Sequence, residues 1–406
     1  MTSPLAGETQ HFAMPAKRTF IIIMAMLMAI NAISIDIMLP GLQQMGASLG
    51  VEDENARQWV ITAYLVGMGT AQLVFGPLSD RFGRKAPLLC GLAIYIVSSL
   101  AITCVPIFSG LLALRFVQGV GAAATRVVTV SIIRDTHSGQ QMAEVMSLVM
   151  MIFMIVPVVA PSIGQLILLI SEWHVIFLFI GIYAILVAVV VISKLPETLP
   201  VSARRPLSAA SVIQAFRMVL GNRLAFCYGI AGAFVFGALF GFINSSQQIL
   251  AGLFQLGDRF PVVFASFAII MALSSFANSL LVRRWGMQNL AHGALIGFML
   301  IGLIWSLVAF FGHVSLTLFV LFYGAEMLLF GMITANFNAM AMEPLGSIAG
   351  TASSVVGFMQ TVGGSLIGAL IGQAFDGTVL PLALGFLSIS VAAVIFTLVA
   401  RKGHLF

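Results

Sequence analysis

Charged residues are scarce in this chain of 406 residues: Asp, Glu, Lys and Arg together make up 8% of it, whereas 60% is hydrophobic. Water-soluble domains carry about 25% charged residues, so the composition excludes a soluble globular protein. Cysteine is also rare, and the three residues Cys90, Cys104 and Cys227 all lie in apolar runs. This pattern excludes a disulfide framework and a zinc site built from thiolates.

The sequence also lacks the motifs of several other protein classes. It has no glycine-rich Walker loop, so ATP is not the expected energy source. It has no metal-ligand cluster and no nucleophile beside a base, so no enzyme is indicated. The first 18 residues are polar and the apolar run that follows is long enough to remain as a span, so we expect no cleaved signal. We expect no cofactor and no metal.

Long apolar runs occupy most of the chain. A bilayer core of about 30 Å takes about 20 helical residues to cross, and backbone in lipid must satisfy its own hydrogen bonds, so these runs predict helices. The sequence therefore predicts an all-α integral membrane protein. Its twelve spans lie at residues 19–40, 59–79, 86–106, 108–131, 143–169, 173–193, 224–251, 261–281, 289–311, 315–338, 349–374 and 379–400.

The basic residues are distributed unevenly between the two sides of the membrane. Loops rich in Lys and Arg stay in the cytoplasm, and a cytoplasmic N-terminus puts nearly all of the 19 basic residues on that side. Only Arg57 and Arg259 fall outside, while Arg115 and Arg126 lie within the fourth span. We expect both termini in the cytoplasm. The net charge of +5 follows from this topology, so it predicts no nucleic-acid partner.

The chain repeats itself after 203 residues. This shift places the first six spans on the last six and aligns Gly83 with Gly286. Two six-helix halves create a cavity between them, and rocking of the halves opens it to alternate sides. The predicted units are a cytoplasmic tail at 1–18, an N-terminal half at 19–193, a cytoplasmic linker at 194–222, a C-terminal half at 223–400 and a tail at 401–406.

The loop GPLSDRFGRK after the second span concentrates charge between two apolar runs. Asp80 lies at the negative end of a helix, so it needs a cationic partner or the N-terminus of another helix. Arg81 and Arg84 supply positive charge, while Gly76 and Gly83 permit close approach and unusual backbone angles. We predict that this loop acts as a conformational latch. The alternative is a set of positive anchors, but an anchor has no need of an acid.

Ionisable residues inside a membrane are costly and usually face a cavity. Asp36 in the first span and Arg115 in the fourth lie at matched depth, so they are able to pair. A carboxyl buried near an arginine binds or releases a proton when either partner moves. We predict that this pair couples transport to protons. The alternative is a static salt bridge that sets helix packing.

Arg126 and Glu326 form a second candidate charge site. Arg126 lies eleven residues after Arg115 and therefore near the same helix face. Glu326 lies near the middle of the tenth span, in the other half of the chain. Three roles are open to Glu326: a second titrating group, a charge that recognises cations, or a residue paired locally.

The sequence also indicates a lining for a substrate cavity. Its 22 methionines and 32 phenylalanines favour promiscuous binding of apolar compounds, although most of them pack or face lipid. Tyr64, Met68 and Gln72 share one face of the second span. Together with the amides Asn31 and Asn244, they form the predicted lining.

Several stretches resemble a known family. GPLSDRFGRK resembles the signature loop of the major facilitator superfamily, and LRFVQGVGAAA in the fourth span resembles its proton-antiporter motif. SIDIMLP, IIRD, VPVVAPSIGQ, EWHVIF, LPETLP and AGTASS are similar to the bicyclomycin and chloramphenicol resistance (Bcr/CflA) branch of drug/proton antiporters. The resemblance extends from the first span to the start of the eleventh. It implies that the loop locks an outward-open state through contacts to other spans, including the eleventh.

The resemblance also implies roles for residues inside the membrane. SIDIMLP resembles the family's first span, where an acid carries the proton, and Asp36 is that acid here. Arg115 matches the arginine of the antiporter motif, which implies a part in proton transfer or in holding the acid. Pro157, Pro161 and Gly164 resemble the antiporter motif of the fifth span. Because prolines bend a span, these residues predict a gating helix.

Residues and resemblance together predict a proton-coupled multidrug efflux transporter of the bacterial inner membrane. It would export small, mostly apolar antibiotics, such as chloramphenicol-like compounds, by alternating access. The expected partners are drugs, protons and lipid, and we expect a monomer. One alternative is an uptake symporter for a small metabolite, which would share the fold and the loop. A remote alternative is a membrane receptor or an integral-membrane enzyme.

Overall fold

The computed structural model describes residues 14–204, 209–312 and 314–404. Most of the predicted N-terminal tail, part of the predicted linker and the end of the C-terminal tail lie outside the described residues. Within the described ranges the chain is all helical. The first half contains α1 (Lys17–Asp36), α2 (Leu42–Ser48), α3 (Trp59–Phe82), α4 (Lys85–Ile102), α5 (Phe108–Thr136), α6 (Gly139–Ile170) and α7 (His174–Lys194).

The linker and the second half supply the remaining α-helices of the described chain. They are α8 (Ala209–Gly221), α9 (Arg223–Ser246), α10 (Phe260–Trp285), α11 (Met287–Phe311), α12 (Leu316–Met342), α13 (Ala349–Phe358), α14 (Gly364–Gln373) and α15 (Leu380–Ala400). These helices form twelve segments that are long and apolar enough to cross a membrane. The predicted twelve-helix membrane fold is confirmed.

Three predicted spans are not uniform helices. The first is broken between α1 and α2, because Pro40 has no N–H to donate and disfavours helix in the residue before it. The seventh continues past α9 as a π-helix at Gln247–Leu253, and a π-helical turn at Met359–Gly363 joins α13 to α14. Such irregular turns are frequent at functional sites.

The two halves repeat the same packing. In the first half α3 packs on α5, α1 on α6 and α4 on α7; in the second, α10 packs on α12, α9 on α14 and α11 on α15. Gly83 and Gly286, which the repeat aligns, both end a helix with positive φ, at 89° and 76°. Glycine adopts this backbone conformation without steric cost.

The halves meet along two seams. In one, α3 packs against α13 and α14, and in the other α6 packs against α10. Because the number of spans is even, Lys17 and Arg401 lie at the same end of the bundle. We call this end the terminal face and the other end the opposite face. Helix α3 runs from the opposite face at Trp59 to the terminal face at Phe82.

Candidate functional site

A central cavity of about 440 Å³ lies between the two halves. Helices α1, α3, α5 and α6 line it on one side, and α9, α10 and α12 line it on the other. Its wall is mainly aromatic and aliphatic. Asp36 and Arg126 bring the only charges to this wall among the residues that the structure describes, and Asn31 adds an amide.

A second cavity, of about 450 Å³, continues from the central cavity toward the terminal face. We call it the vestibule. Asp80 and Arg134, near the terminal ends of α3 and α5, line it together with Ser354 at the start of the eleventh span. Arg126 and Phe330 belong to the walls of both cavities. The two cavities are therefore adjacent, and together they extend from the terminal face to the middle of the bundle.

Asp36 is the last residue of α1, at the break that Pro40 causes. Its side chain is 5% exposed and lies on the wall of the central cavity. We predicted that it pairs with Arg115, but no ion pair joins the two among the described residues. The static salt bridge considered above is therefore not formed in this structure. Asp36 instead presents its carboxyl to the cavity.

Arg115 is fully buried and is held by backbone groups of two other helices. Its Nε donates to the carbonyl oxygen of Val60 at 3.1 Å and its Nη2 to that of Ser34 at 3.1 Å. The guanidinium also donates to Gln118 Oε1 and lies 4.5 Å from the ring centroid of Tyr64. Since Ser34 lies two residues before Asp36, Arg115 holds the backbone that carries the acid.

Helix α6, the predicted gating helix, contains Pro157 and Pro161. Pro157 lies on the wall of the central cavity. Gly164 packs against the break after Asp36: a Cβ at this position would overlap the carbonyl oxygen of Ile37 and lie 3.3 Å from Pro40 Cγ. Helix α6 therefore contacts the first span directly beside the predicted proton carrier.

The five residues of the predicted lining divide into three groups. Asn31 and Met68 lie on the wall of the central cavity, and Gln72 lies on the wall of the vestibule. Tyr64 and Asn244 do not line either cavity, so these two assignments need correction. The guanidinium of Arg115 lies over the ring of Tyr64, and the side-chain amide of Asn244 lies close to the hydroxyl of Thr62 in α3.

The structure also separates the two candidates for a second charge site. Arg126 lies on the cavity walls, whereas Glu326 is fully buried and belongs to neither wall. Neither carboxylate oxygen of Glu326 has a hydrogen-bond partner among the described residues. The alternative of a locally paired residue is thus not seen here. Its Oε1 lies 3.4 Å from the position of a Cβ on Gly302 of α11.

Arg84 gathers acids from three parts of the chain at the terminal face. Its Nη1 donates to Asp80 Oδ1 and its Nε to Asp135 Oδ2, both at 2.6 Å. Burial lowers the pKa of Arg84, but the hydrogen bonds and charges of Asp135 and Asp80 outweigh it and raise the pKa above its ordinary value. In this structure the loop acid therefore binds an arginine of its own loop.

Glu197 from the linker completes this cluster. Its Oε1 accepts from the backbone N–H of Arg84 at 2.7 Å and its Oε2 from that of Lys85 at 3.1 Å. These N–H groups have no partner within α4, and a carboxylate is favoured at a helix N-terminus. Asp135 and Glu197 belong to the stretches IIRD and LPETLP, so three separate motifs of the sequence converge on one contact.

We expect Arg84→Lys to lower the free energy of unfolding by about 1 kcal/mol, because an ammonium retains the charge but loses the planar fork that reaches both acids. Thermal unfolding of the purified protein in detergent measures this change. Arg81→Lys is the matched control, because Arg81 is exposed and makes no hydrogen bond or ion pair among the described residues. Equal melting temperatures for the two variants would contradict the prediction.

Side-chain amides join the two halves at the opposite face. Gln58 Nε2 donates to Gln248 Oε1 at 2.5 Å and to the carbonyl oxygen of Gly372 at 3.0 Å. Gln248 in turn donates to Asn55 Oδ1 at 2.7 Å, and Gln373 donates to the Asn55 carbonyl oxygen at 2.6 Å. All of these bonds join the N-terminal half to the C-terminal half. We call Asn55, Gln58, Gln248 and Gln373 the amide gate.

We expect Gln58→Ala to shift the protein toward a state that is open at the opposite face. It removes two hydrogen bonds between the halves, worth about 1 kcal/mol each, so the open population should rise roughly 10- to 30-fold. The measurement is the rate at which a cysteine at Leu65, on the cavity wall, reacts with an impermeant thiol reagent added at the opposite face.

Gln43→Ala is the matched control for this experiment. Gln43 is exposed near the same face and makes one long hydrogen bond, 3.4 Å from Gln247. The native cysteines are replaced in all variants so that only the reporter reacts. A labelling rate that is the same in both variants would show that the amide gate does not hold the closed state.

The fold and the site define a class of protein: a transporter with two six-helix halves of like packing, a central cavity and hydrogen bonds that join the halves at one face. The sequence profile of the Major Facilitator Superfamily matches residues 21–369, and the chain belongs to this family. It is therefore a multi-pass protein of the bacterial inner membrane. The family and the fold are those of a transporter.

Individual relatives are consistent with this assignment. The chain is 31% identical over 371 residues to the bicyclomycin resistance protein homolog of Haemophilus influenzae, covering 90% of this chain and 92% of that one. It is 29% identical over 351 residues to the chloramphenicol resistance protein of Pseudomonas aeruginosa, with 84% and 79% covered. The predicted branch of the family is confirmed.

A solved structure shows the same fold. The xylose transporter XylE from E. coli, in a partially occluded inward open conformation, matches with a TM-score of 0.73 at 12% identity, and the match covers 94% of this chain and 97% of that one. At this identity the likeness concerns the fold alone.

Proposed function

We propose that this protein exports small, mostly apolar drugs from the cytoplasm in exchange for protons. The observation that carries the proposal is the central cavity. Its volume falls within the range of drug-sized sites, its wall is largely aromatic and aliphatic, and Asp36 is its one carboxylate among the described residues. The names of the relatives, which refer to resistance to bicyclomycin and chloramphenicol, support drugs as the substrate class.

Alternating access follows from the arrangement of the two ends. The rule that basic loops stay inside supports a cytoplasmic terminal face. The vestibule then leads a drug from the cytoplasm to the central cavity, while the amide gate keeps the opposite face closed. Rocking of the halves breaks the amide gate and brings α3 and α13 closer at the terminal face, so the drug leaves on the outer side.

In this proposal Asp36 couples this motion to protons. It lies at the end of α1 that points away from the terminal face, so it takes up a proton when the opposite face opens and releases it toward the vestibule. Arg115 holds the backbone at Ser34 and Gly164 packs on the backbone at Ile37. Movement of α5 or α6 therefore changes the surroundings of the acid. In this scheme the protein works as a monomer in the lipid bilayer. The proton gradient supplies the energy, and no bound cofactor takes part.

Resistance and proton flux test the proposal. Expression in a bacterium that lacks its own efflux pumps should raise the inhibitory concentration of chloramphenicol and of other compounds in a drug panel. In inside-out vesicles, drug entry should make the lumen more alkaline, because protons leave in exchange. Acidification of the lumen would indicate co-transport instead. No resistance to any drug and no proton movement would refute the proposal.

A further inference from the structure

Arg126 brings a positive charge to the wall of the transport path. It lies on the walls of both the central cavity and the vestibule and is partly exposed there. A guanidinium has five N–H donors and no acceptor, and ionisable groups in a membrane usually pair with an acid or a carbonyl. Among the described residues, however, Arg126 makes no hydrogen bond and no ion pair.

Two other arginines near this path differ in this respect, whereas Arg134 at the exposed end of the vestibule is likewise unpaired among the described residues. Arg84 is bound by Asp80 and Asp135, and Arg115 is bound by two backbone carbonyls and Gln118. Their guanidinium groups are occupied by the fold itself. The donors of Arg126 are therefore available to a molecule in the cavity.

The acids of the path do not neutralise Arg126 either. Asp80, the only carboxylate on the vestibule wall among the described residues, is bound to Arg84 at 2.6 Å. Asp36 lies about 28 Å along α1 from its terminal end, whereas Arg126 lies about 15 Å from the terminal end of α5, at 1.5 Å per residue. The two charges are thus at different depths, with Arg126 nearer the entrance.

We propose that Arg126 selects substrates that carry an anionic oxygen group, such as a carboxylate, on an aromatic body. The charge-assisted hydrogen bonds of a guanidinium match such a group. Aromatic rings of the central wall, among them Phe236, Phe240 and Phe330, would hold the rest of the molecule. This inference rests on the proposed export function and names a substrate class for the same cavity.

Two dyes with the same three-ring body and opposite charge test the proposal: fluorescein, an anion, and rhodamine 123, a cation. Fluorescence anisotropy measures their dissociation constants with the full-length protein in lipid nanodiscs. We expect Arg126→Gln to weaken fluorescein binding at least about tenfold, the loss of a hydrogen bond to a charged group. Rhodamine 123 should bind as well as before or more tightly, because a repelling charge is removed.

Two further variants show whether an effect comes from the charge at this position. Arg126→Lys retains the charge and should preserve most of the fluorescein affinity, while Arg217→Gln removes the same charge from the exposed face of α8 and should change it less than twofold. Unchanged fluorescein affinity in Arg126→Gln would overturn the proposal. Equal weakening of both dyes would also overturn it, since that result indicates a structural role.

Export from cells distinguishes a failure of this inference from a failure of the proposed function. The cells are loaded with chloramphenicol, which is neutral, and with each dye. If wild-type cells export none of the three compounds, the proposed function fails. If they export chloramphenicol and Arg126→Gln does not change the preference between the dyes, only the role of Arg126 fails. Selective loss of fluorescein export supports it.

Discussion

Asp36→Asn is expected to abolish transport driven by a pH gradient while drug binding persists. Asparagine keeps the size and polarity of the side chain on the cavity wall but cannot bind and release a proton. Gradient-driven drug uptake by inside-out vesicles should fall to the level of vesicles without the protein, at acidic and alkaline pH alike. Binding of the same drug to purified protein should stay within about twofold of wild type, since the apolar wall is unchanged.

Asp376→Asn is the control for this experiment. Asp376 lies in an exposed turn, where its Oδ1 accepts hydrogen bonds from the backbone and the hydroxyl of Thr378. An asparagine oxygen can accept the same bonds, so only the charge is lost. Transport by Asp36→Asn that equals wild type at several pH values would show that another group carries the proton.

Gly164→Val is expected to have the second largest effect. A side chain at this position would overlap the carbonyl oxygen of Ile37, which is backbone and cannot move aside as a flexible side chain does. Helix α6 must then separate from the break in the first span. Overpacking of this kind costs about 3 kcal/mol, and we expect a lower melting temperature together with strongly reduced drug transport.

Gly293→Val is the matched control for Gly164→Val. Gly293 lies within α11 on an exposed face, and a Cβ there meets no described atom within 4 Å. Both variants add the same branched side chain to a membrane helix. If both lowered the melting temperature and the transport rate equally, the contact between α6 and α1 would have no special importance. Gly164→Ala should give an intermediate result, because it adds a single carbon.

Part of this architecture could be predicted from residues that are close in sequence. Hydropathy over about 20 residues predicts a span without any knowledge of its neighbours, and the repeat predicts that Gly83 and Gly286 end helices in the same way. The loop around Asp80 was predicted to need a cationic partner. The structure supplies Arg84, four residues away, and adds Asp135 and Glu197 from two other motifs.

No pattern in the sequence predicts the amide gate. Asn55 and Gln58 are ordinary polar residues near the end of a span, and their partners lie far along the chain, 190 residues away for Gln248 and 318 for Gln373. Nothing local distinguishes such an amide from one that faces solvent. The π-helical turns at Gln247–Leu253, which carries Gln248, and at Met359–Gly363 were likewise not predicted.

The sequence by itself determined the twelve spans, the two halves and the residues that carry charge into the membrane, because hydropathy and loop charge are local properties. Only the tertiary structure decided what each charge does. Asp36, Arg115, Arg126 and Glu326 are all ionisable residues in apolar spans, but two face the cavity and two are enclosed by protein. That difference depends on how each helix is rotated against its neighbours, which is determined by packing across the whole bundle.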